Sequence, residues 1–216
     1  MNYLLNLSPM FAGVSDSDSE KMYNCLGAKK KTFSAGDVIF SFGDGADFIG
    51  IIARGGATLQ RTDMLGGKYV LDTLTGGDVF GEMAAFLNPM GDDVSITAKS
   101  ECEVIFISRD RVTRPCGKVC ECHTTMLRNL IGMISQRAMR LSERVEVISN
   151  RSIREKLRYF FLLEVKKQGG RTITLPFSAS ALADYICADR SAKMREMAAM
   201  KRDGLIDYER RRVTVL

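Results

Sequence analysis

The sequence predicts an α+β protein in three parts: an N-terminal antiparallel β jelly roll, one long helix, and a C-terminal helix-turn-helix closed by a short hairpin. Three observations carry this. Short β-rich runs, separated by Gly- or Asp-containing turns, recur roughly every ten residues between Lys31 and Ser108, the texture of an antiparallel sandwich or jelly roll. From about Val119 to Asn150, Leu127, Leu130, Ile134, Leu141, Val145 and Ile148 recur at spacings of three, four and seven, the apolar seam of an amphipathic helix. After Arg151 come short helical patterns with capping residues and basic ends.

The chain has 216 residues, 45% hydrophobic and 26% charged, which is enough for two modest domains with real cores. The expected division is 1–114, 115–150 and 151–216. Charge follows it: net −4 over 1–114, +2 over 115–150 and +7 over 151–216. An acidic front and a basic back suggest a polyanion partner for the C-terminal third. No run of about 18 apolar residues occurs, so no segment is expected to span a membrane. The start, MNYLLNLSPM, lacks the basic region and long apolar core of a secretory signal. Six Cys without an export signal imply a reducing, cytoplasmic location without structural disulfides.

Residues 15–26 predict a short helix, with Ser15, Asp16 and Ser17 ahead of Met22 and Leu26, since such residues cap a helix N-terminus. Strands are expected at Val38–Phe42, Phe48–Ala53, Ala57–Arg61, Tyr69–Leu74, Val94–Ala98 and Cys102–Ser108. Through these runs the glycines follow a pattern: Gly36-Asp37-Val38-Ile39-Phe40, Gly43-Asp44, Gly50, Gly55, Leu59 and Gly76-Gly77-Asp78-Val79-Phe80-Gly81-Glu82. Over about residues 10–108 this resembles the cyclic-nucleotide-binding domain of the Crp/Fnr superfamily of bacterial transcription regulators. The resemblance implies a cyclic-nucleotide-binding-like jelly roll whose Gly81-Glu82 turn and following short helix form a phosphate-binding cassette. Backbone N–H groups there would cradle an anion, and Glu82 would accept from a ribose hydroxyl.

The departure matters as much. Nucleotide-binding members carry an Arg and a small residue after the cassette. Here Asp92-Asp93 stand at that place, and no Arg occurs between Arg61 and Arg109. Two carboxylates would repel a phosphate, so cyclic AMP is not expected to bind in the usual way. An exposed turn at NPMGDD leaves the phosphate equally without its Arg. The expected effector pocket comprises Gly81, Glu82, Met83, Ala84, Asp92, Asp93 and Val94, closed by Met126, Leu130 and Ile134 from the long helix.

If their segment is helical, Cys116, Cys120 and His123, the chain's only His, lie at i, i+4 and i+7 on one face. They could hold a transition metal, haem iron or an iron–sulfur cluster with a fourth ligand from elsewhere. The spacing matches no standard zinc or ferredoxin signature, and packing or a thiol switch accounts for it as well.

The long helix, about 45 Å at 1.5 Å per residue, contains no Pro and one Gly, Gly132. A helix of that length joins two bodies or pairs with its own copy; the other reading is a core helix of one larger domain. The expected dimer interface is Leu127, Leu130, Ile134, Leu141, Val145 and Ile148.

Ser152–Lys167 predicts a helix with Ile153, Leu157, Phe160, Phe161 and Val165 inward, ended by Gly169-Gly170. A strand, Thr172–Leu175, follows. From Ser178 to Ile206 the pattern is helix, three-residue turn, helix, with Ser178 and Asp189 as N-caps and Gly204 as the stop. The run Leu182-Ala183, Arg190-Ser191-Ala192, Arg195-Glu196-Met197, Met200 and Gly204-Leu205-Ile206 closely resembles the Crp/Fnr helix-turn-helix. Leu205–Tyr208 and Val213–Leu216 would form the hairpin wing. A recognition helix enters the major groove with side chains reaching base edges. Arg190, Ser191 and Arg195 match the family's base-reading and phosphate positions; Ser180, Lys201 and Arg211 suit phosphates. Lys193 stands where the family carries Val or Leu, so it either snorkels out or yields its place to Met194.

The resulting expectation is a dimeric, sequence-specific regulator of double-stranded DNA with a near-palindromic operator, an unidentified small-molecule effector and RNA polymerase as a further partner. No enzyme is expected: jelly rolls do host metal enzymes, but one His and no placeable nucleophile–base pair argue against one. The alternative is a redox, haem or metal sensor of the same family.

Overall fold

A computed structural model describes residues 3–41, 47–62, 66–82, 94–114 and 120–216. They form two compact units, Met1–Ile134 and Ser135–Leu216. Among the described residues, no helix is long and apolar enough to cross a membrane.

The first unit opens with two 3-10 turns, Tyr3–Leu7 and Pro9–Phe11, then α1, Asp16–Cys25. Ser15 caps α1 by accepting from the Asp18 amide, and Asp16 and Asp18 lie in its first turn, where the dipole favours them. The strands are β1 (Lys29–Phe33), β2 (Val38–Ser41), β3 (Phe48–Arg54), β4 (Gly56–Thr62), β5 (Lys68–Thr75), β6 (Val79–Phe80), β7 (Val94–Ala98) and β8 (Cys102–Ser108). They make two antiparallel four-stranded sheets, ordered β1-β8-β3-β6 and β2-β7-β4-β5.

Strand alternation divides the unit's apolar residues between two cores. Ile49, Ile51 and Ala53 of β3, with Ile105 and Ile107 of β8, join Leu5, Met10, Phe11, Met22, Leu26, Met126 and Leu130 on the helical side. From the opposite faces of those strands, Ile52, Cys102 and Val104 join Ile39, Ala57, Leu74, Phe80 and Ile96 in the roll interior. Phe106 is the hub of that interior, with ring centroids 6.2 Å from Phe33, 6.4 Å from Phe48 and 6.2 Å from Phe80. Gly50 lies directly under the Phe80 ring, where a Cβ would come within 2.1 Å of it.

A short helix, α2 (Arg109–Thr113), precedes α3 (Glu121–Ile148). At the start of α3, the Asn129 amide donates to the carbonyls of Met10 (3.2 Å) and Ala12 (2.8 Å). This fastens the N-terminal turns to the helix.

In the second unit, α4 (Ile153–Gln168) begins with a complete capping box, Ser152 with Glu155, and ends at Gly169 in the left-handed conformation. β9 (Thr172–Thr174), α5 (Ala179–Tyr185), α6 (Arg190–Arg202), β10 (Ile206–Glu209) and β11 (Arg212–Val215) follow. The three strands form a sheet ordered β10-β11-β9. Leu157, Phe160, Phe161, Ile173, Leu182, Ile186, Met197, Met200, Ile206 and Val213 build the core, with Val147 of α3. Each such side chain contributes about 1.5–3 kcal/mol by burial.

Three further contacts hold the C-terminal part of α3 within this unit. Arg144 donates to the carbonyls of Tyr185 (3.1 Å) and Asp184 (3.3 Å) at the end of α5. Glu143 pairs with Lys167 at 2.5 Å. Tyr159 donates to Glu146 at 2.6 Å.

The expected elements from α1 to the wing are present, the wing strands shifted by one residue. β1, β6, α2 and the N-terminal turns were not expected.

Candidate functional site

The two helices of the helix-turn-helix meet at a turn built on local hydrogen bonds. Ser178 caps α5 by accepting from the Ala181 amide, and Asp189 caps α6 by accepting from the Ala192 amide at 2.9 Å. Between them Cys187 takes φ +51°, an exposed non-Gly residue in the left-handed region. Arg144 and the Lys156 ammonium, which donates to the Ile186 carbonyl at 3.2 Å, place positive charge on the C-terminal carbonyls of α5, where cations are favoured.

α6 turns Lys193, Met197 and Met200 inward, with exposures of 1%, 3% and 1%. Lys193 therefore stays on the core face, and Met194 points outward. Burial, helped by the Arg190 charge, holds the Lys193 amine below its ordinary value. Glu196 is turned to the side and accepts from Arg154 of α4 at 2.5 Å, while the same guanidinium reaches Asp203 at 2.7 Å. Arg190, Ser191, Met194 and Arg195 remain exposed, and Ser180 is exposed on α5. Guanidinium groups on an exposed helix can grip guanine O6 and N7 in the major groove or neutralise phosphates.

Two residues expected to reach phosphates are committed elsewhere. Lys201 pairs with Asp207 of the wing at 2.6 Å and lies over the Tyr208 ring. Arg211 forks onto the Leu175 carbonyl at 3.1 and 2.7 Å. Arg210 and Arg212 flank it, both exposed on the hairpin. The wing arginines could not be told apart from sequence, because the carbonyl that claims Arg211 lies 36 residues away.

In the first unit, the turn after β6 brings Gly81, at φ +79°, under the Phe48 carbonyl, leaving a Cβ 3.1 Å from that oxygen. Glu82 is 4% exposed, and Val94 starts β7 half-buried. Met83, Ala84, Asp92 and Asp93 lie outside the described residues. Met126 and Leu130, at 0% and 3% exposure, pack in the helical core with Leu5 and Phe11. They are on the other side of β3 and β8 from the roll interior, a correction to their expected place at a pocket within this chain.

The apolar seam of α3 is likewise corrected at one position. Leu130 is spent on its own core, and Ile131, 63% exposed, stands beside it. The outward row is Ile131, Ile134, Ala138, Leu141 and Val145, at alternating spacings of three and four, with Leu127 and Ile148 half-buried at its two ends and Leu127 packed against the helical core. Ile134 is 38% exposed, Leu141 62% and Val145 57%.

Near the start of α3, Cys116 lies outside the described residues and Cys120 is half-buried. His123 is 4% exposed; its Nε2–H donates to the Val112 carbonyl at 2.7 Å. That leaves Nδ1 buried, with no hydrogen-bond partner among the described residues. Among those residues, no three His, Cys, Asp or Glu side chains converge as a metal site. Burial and the neighbouring Asp18 carboxylate push the Cys122 thiol up, away from thiolate reactivity.

Comparison with known proteins agrees with both halves. Residues 30–117 match the family model of the cyclic nucleotide-binding domain, and residues 155–216 match the Crp-like helix-turn-helix domain. The global nitrogen regulator of Synechococcus elongatus is 25% identical over 210 residues, covering 90% of each chain. The transcriptional activator protein FnrL of Cereibacter sphaeroides is 21% identical over 195 residues, covering 86% of this chain and 75% of that one. Among solved structures, the catabolite activator protein of Thermus thermophilus has a TM-score of 0.56 at 21% identity, covering 97% of this chain and 94% of that one. CprK complexed with OCPA has a TM-score of 0.66 at 18% identity, covering 91% of each chain. These likenesses extend to the fold.

Proposed function

Because this chain belongs to the Crp/Fnr family of transcription regulators, we propose that it acts as a homodimer on near-palindromic double-stranded DNA, under the control of a small effector other than cyclic AMP. The observation that carries the DNA reading is the exposed row Arg190, Ser191 and Arg195 on a helix whose opposite face is locked into the core. Phosphate contacts from Ser180 and the wing, where Arg210 and Arg212 are exposed, would add affinity without sequence. The division into an effector domain (1–114), a dimerisation helix (115–150) and a reading domain (151–216) belongs to the same proposal, as does RNA polymerase as a partner.

The dimer is supported by the exposed apolar row of α3. Five exposed positions at coiled-coil spacing, Ile131, Ile134, Ala138, Leu141 and Val145, form a seam of the kind that a second helix covers. Two-fold symmetry then sets two half-sites about one helical turn apart. The effector reading is supported by the sequence between Arg61 and Arg109, which supplies no Arg to a phosphate. Related folds serve other ligands: one structural neighbour, from Xanthomonas campestris, is described as responsive to c-di-GMP.

A redox, haem or metal sensor using Cys116, Cys120 and His123 is the second reading. One observation favours it: the His123 Nε2–H held by a carbonyl leaves a buried Nδ1 with no hydrogen-bond partner among the described residues, the tautomer in which metal-binding histidines are commonly held.

Sedimentation of the wild-type chain and of Leu141→Glu, with duplex-binding assays on each, tests the main reading. A wild-type dimer and a monomeric variant with lost operator binding are expected. A wild-type monomer that binds single half-sites would overturn the dimer. Thermal unfolding separates the effectors, since a ligand at 100 times its Kd stabilises by about 2.7 kcal/mol. No shift with cyclic AMP is expected. A shift with haem or Zn²⁺ that His123→Gln abolishes would favour the second reading.

A further inference from the structure

We propose that Met194 is a specificity-determining residue of the recognition helix, reading the 5-methyl group of a thymine in the major groove of each half-site. This rests on the DNA-binding reading above and extends it to base identity.

Three methionines lie on α6. Met197 and Met200 are core residues at 3% and 1% exposure, whereas Met194 is 39% exposed. Helix geometry sets Met194 one turn beyond Arg190 and Ser191 and next to Arg195, all of them exposed. An apolar side chain gains nothing from water, and its exposed neighbours here are polar. The face it shares is the one that would meet base edges.

Chemistry then limits what this face reads. Arginines suit guanine, a carboxylate suits the cytosine amino group, and an apolar side chain suits the thymine methyl. The only carboxylate within α6 is Glu196, and Arg154 holds it at 2.5 Å. The face is thus two guanine readers, one adaptable hydroxyl and one methyl reader, with no carboxylate of α6 free for cytosine. The unbranched thioether of Met follows a small apolar target with little strain. The same Arg154 fork, reaching Asp203 at 2.7 Å, ties α6 to α4 and fixes which side of the helix faces outward.

The test uses the full chain. Binding sites are enriched from a random duplex library, and the enriched site is remade with each thymine in turn replaced by deoxyuridine. That change deletes one methyl and keeps every hydrogen-bonding group. One thymine per half-site should weaken wild-type binding about fourfold when replaced, the worth of one methyl removed from water. Met194→Ala, which loses the contact in both half-sites of the dimer, should bind the thymine site about sixteenfold more weakly than wild type, twice the single-methyl loss in free energy, be indifferent to deoxyuridine, and keep its guanine preferences. Its far-ultraviolet circular dichroism should match wild type, because the side chain is exposed. A wild-type protein indifferent to deoxyuridine at every position overturns the proposal, as does a Met194→Ala variant with the wild-type deoxyuridine profile. If no sequence is enriched at all, the DNA-binding reading itself fails, and the inference with it.

Discussion

Gly50→Ala adds one methyl group to the middle of β3, and its effect can be worked from the packing around it. Gly50 pairs with Phe106 on one side and Phe80 on the other, so the strand has no freedom to move away. The new Cβ would meet Phe80 Cζ at 2.1 Å, Cε2 at 2.4 Å and Cε1 at 2.6 Å. Carbon atoms rest about 3.5–4.0 Å apart, so the ring must retreat by more than 1 Å. It has little room: Phe80 is 4% exposed, with the Phe40 and Phe106 rings each 6.2 Å away. Overpacking of this kind costs about 1–3 kcal/mol, and a clash this deep belongs at the upper end. Without the ring, the same substitution would stabilise by about 0.4–1 kcal/mol, because Ala restricts the unfolded chain. The sign therefore decides the matter. Urea unfolding should show a lower midpoint at unchanged m-value. Repeating the substitution in a Phe80→Ala background should abolish or reverse the penalty, a coupling of about 3–4 kcal/mol. A midpoint that rises in Gly50→Ala, or a penalty equal in both backgrounds, would refute the reasoning.

Three more outcomes follow from residues outside the roll interior. Lys193→Met removes a buried amine and with it one pH-dependent part of the stability. Since burial lowers the Lys193 value from 10.5, the unfolded chain keeps more protons as pH approaches 10.5. Wild-type stability should therefore gain a component that rises with pH there; thermal unfolding from pH 7 to 10.5 checks that Lys193→Met lacks it. Asn129→Ala removes two donors from the carbonyls of Met10 and Ala12; it should cost about 1–2 kcal/mol and speed amide exchange in residues 9–14 but not in 151–216. Cys187→Gly relieves a left-handed non-Gly residue, worth about 1–2 kcal/mol, less about 0.5–1 kcal/mol for the added chain entropy; a small rise in Tm is expected, and a fall would mean the thiol is doing something besides turning the chain.

Helix ends were the most readable part of this sequence, because caps act within four residues. Ser178 and Asp189 cap where expected, Ser15 is one of the three residues offered for α1, and Gly169 and Gly204 stop their helices; Ser152, read as the first helical residue, is the cap of α4. β1 escaped notice because Lys29, Lys30 and Lys31 carry no strand pattern of their own; pairing with β8 supplies it, and lysines suit an exposed edge. Leu130 and Ile131 illustrate a subtler limit. Both are apolar and adjacent, so either completes a helical period. Only the sheet beneath one of them decides which is core and which is seam. The recognition helix was legible as a motif, but Lys193 neither snorkels out nor yields its place to Met194: it stays inward at 1% exposure, with Met194 outward. That Lys201 and Arg211 are claimed by the wing strand and by a strand-end carbonyl depends on long-range folding that periodicity does not encode. In the effector region, Gly81, Glu82 and Val94 can be placed, and the carboxylates Asp92 and Asp93 carry their argument from sequence alone.

The fastening of α3 has a consequence for how much protein must be present for the molecule to be whole. Its first turns are held by Met126, Asn129 and Leu130, its last by Arg144, Glu146 and Val147. Between these anchorages Ile131, Ile134, Met139 and Leu141 stand exposed. Helix propagates into this span from the two anchored ends, and a cover over its exposed side chains would add to its order. If that cover is a second chain, dilution acts on the middle of the helix as a denaturant would. Scarcity would loosen the rod at its centre while leaving both anchored ends folded.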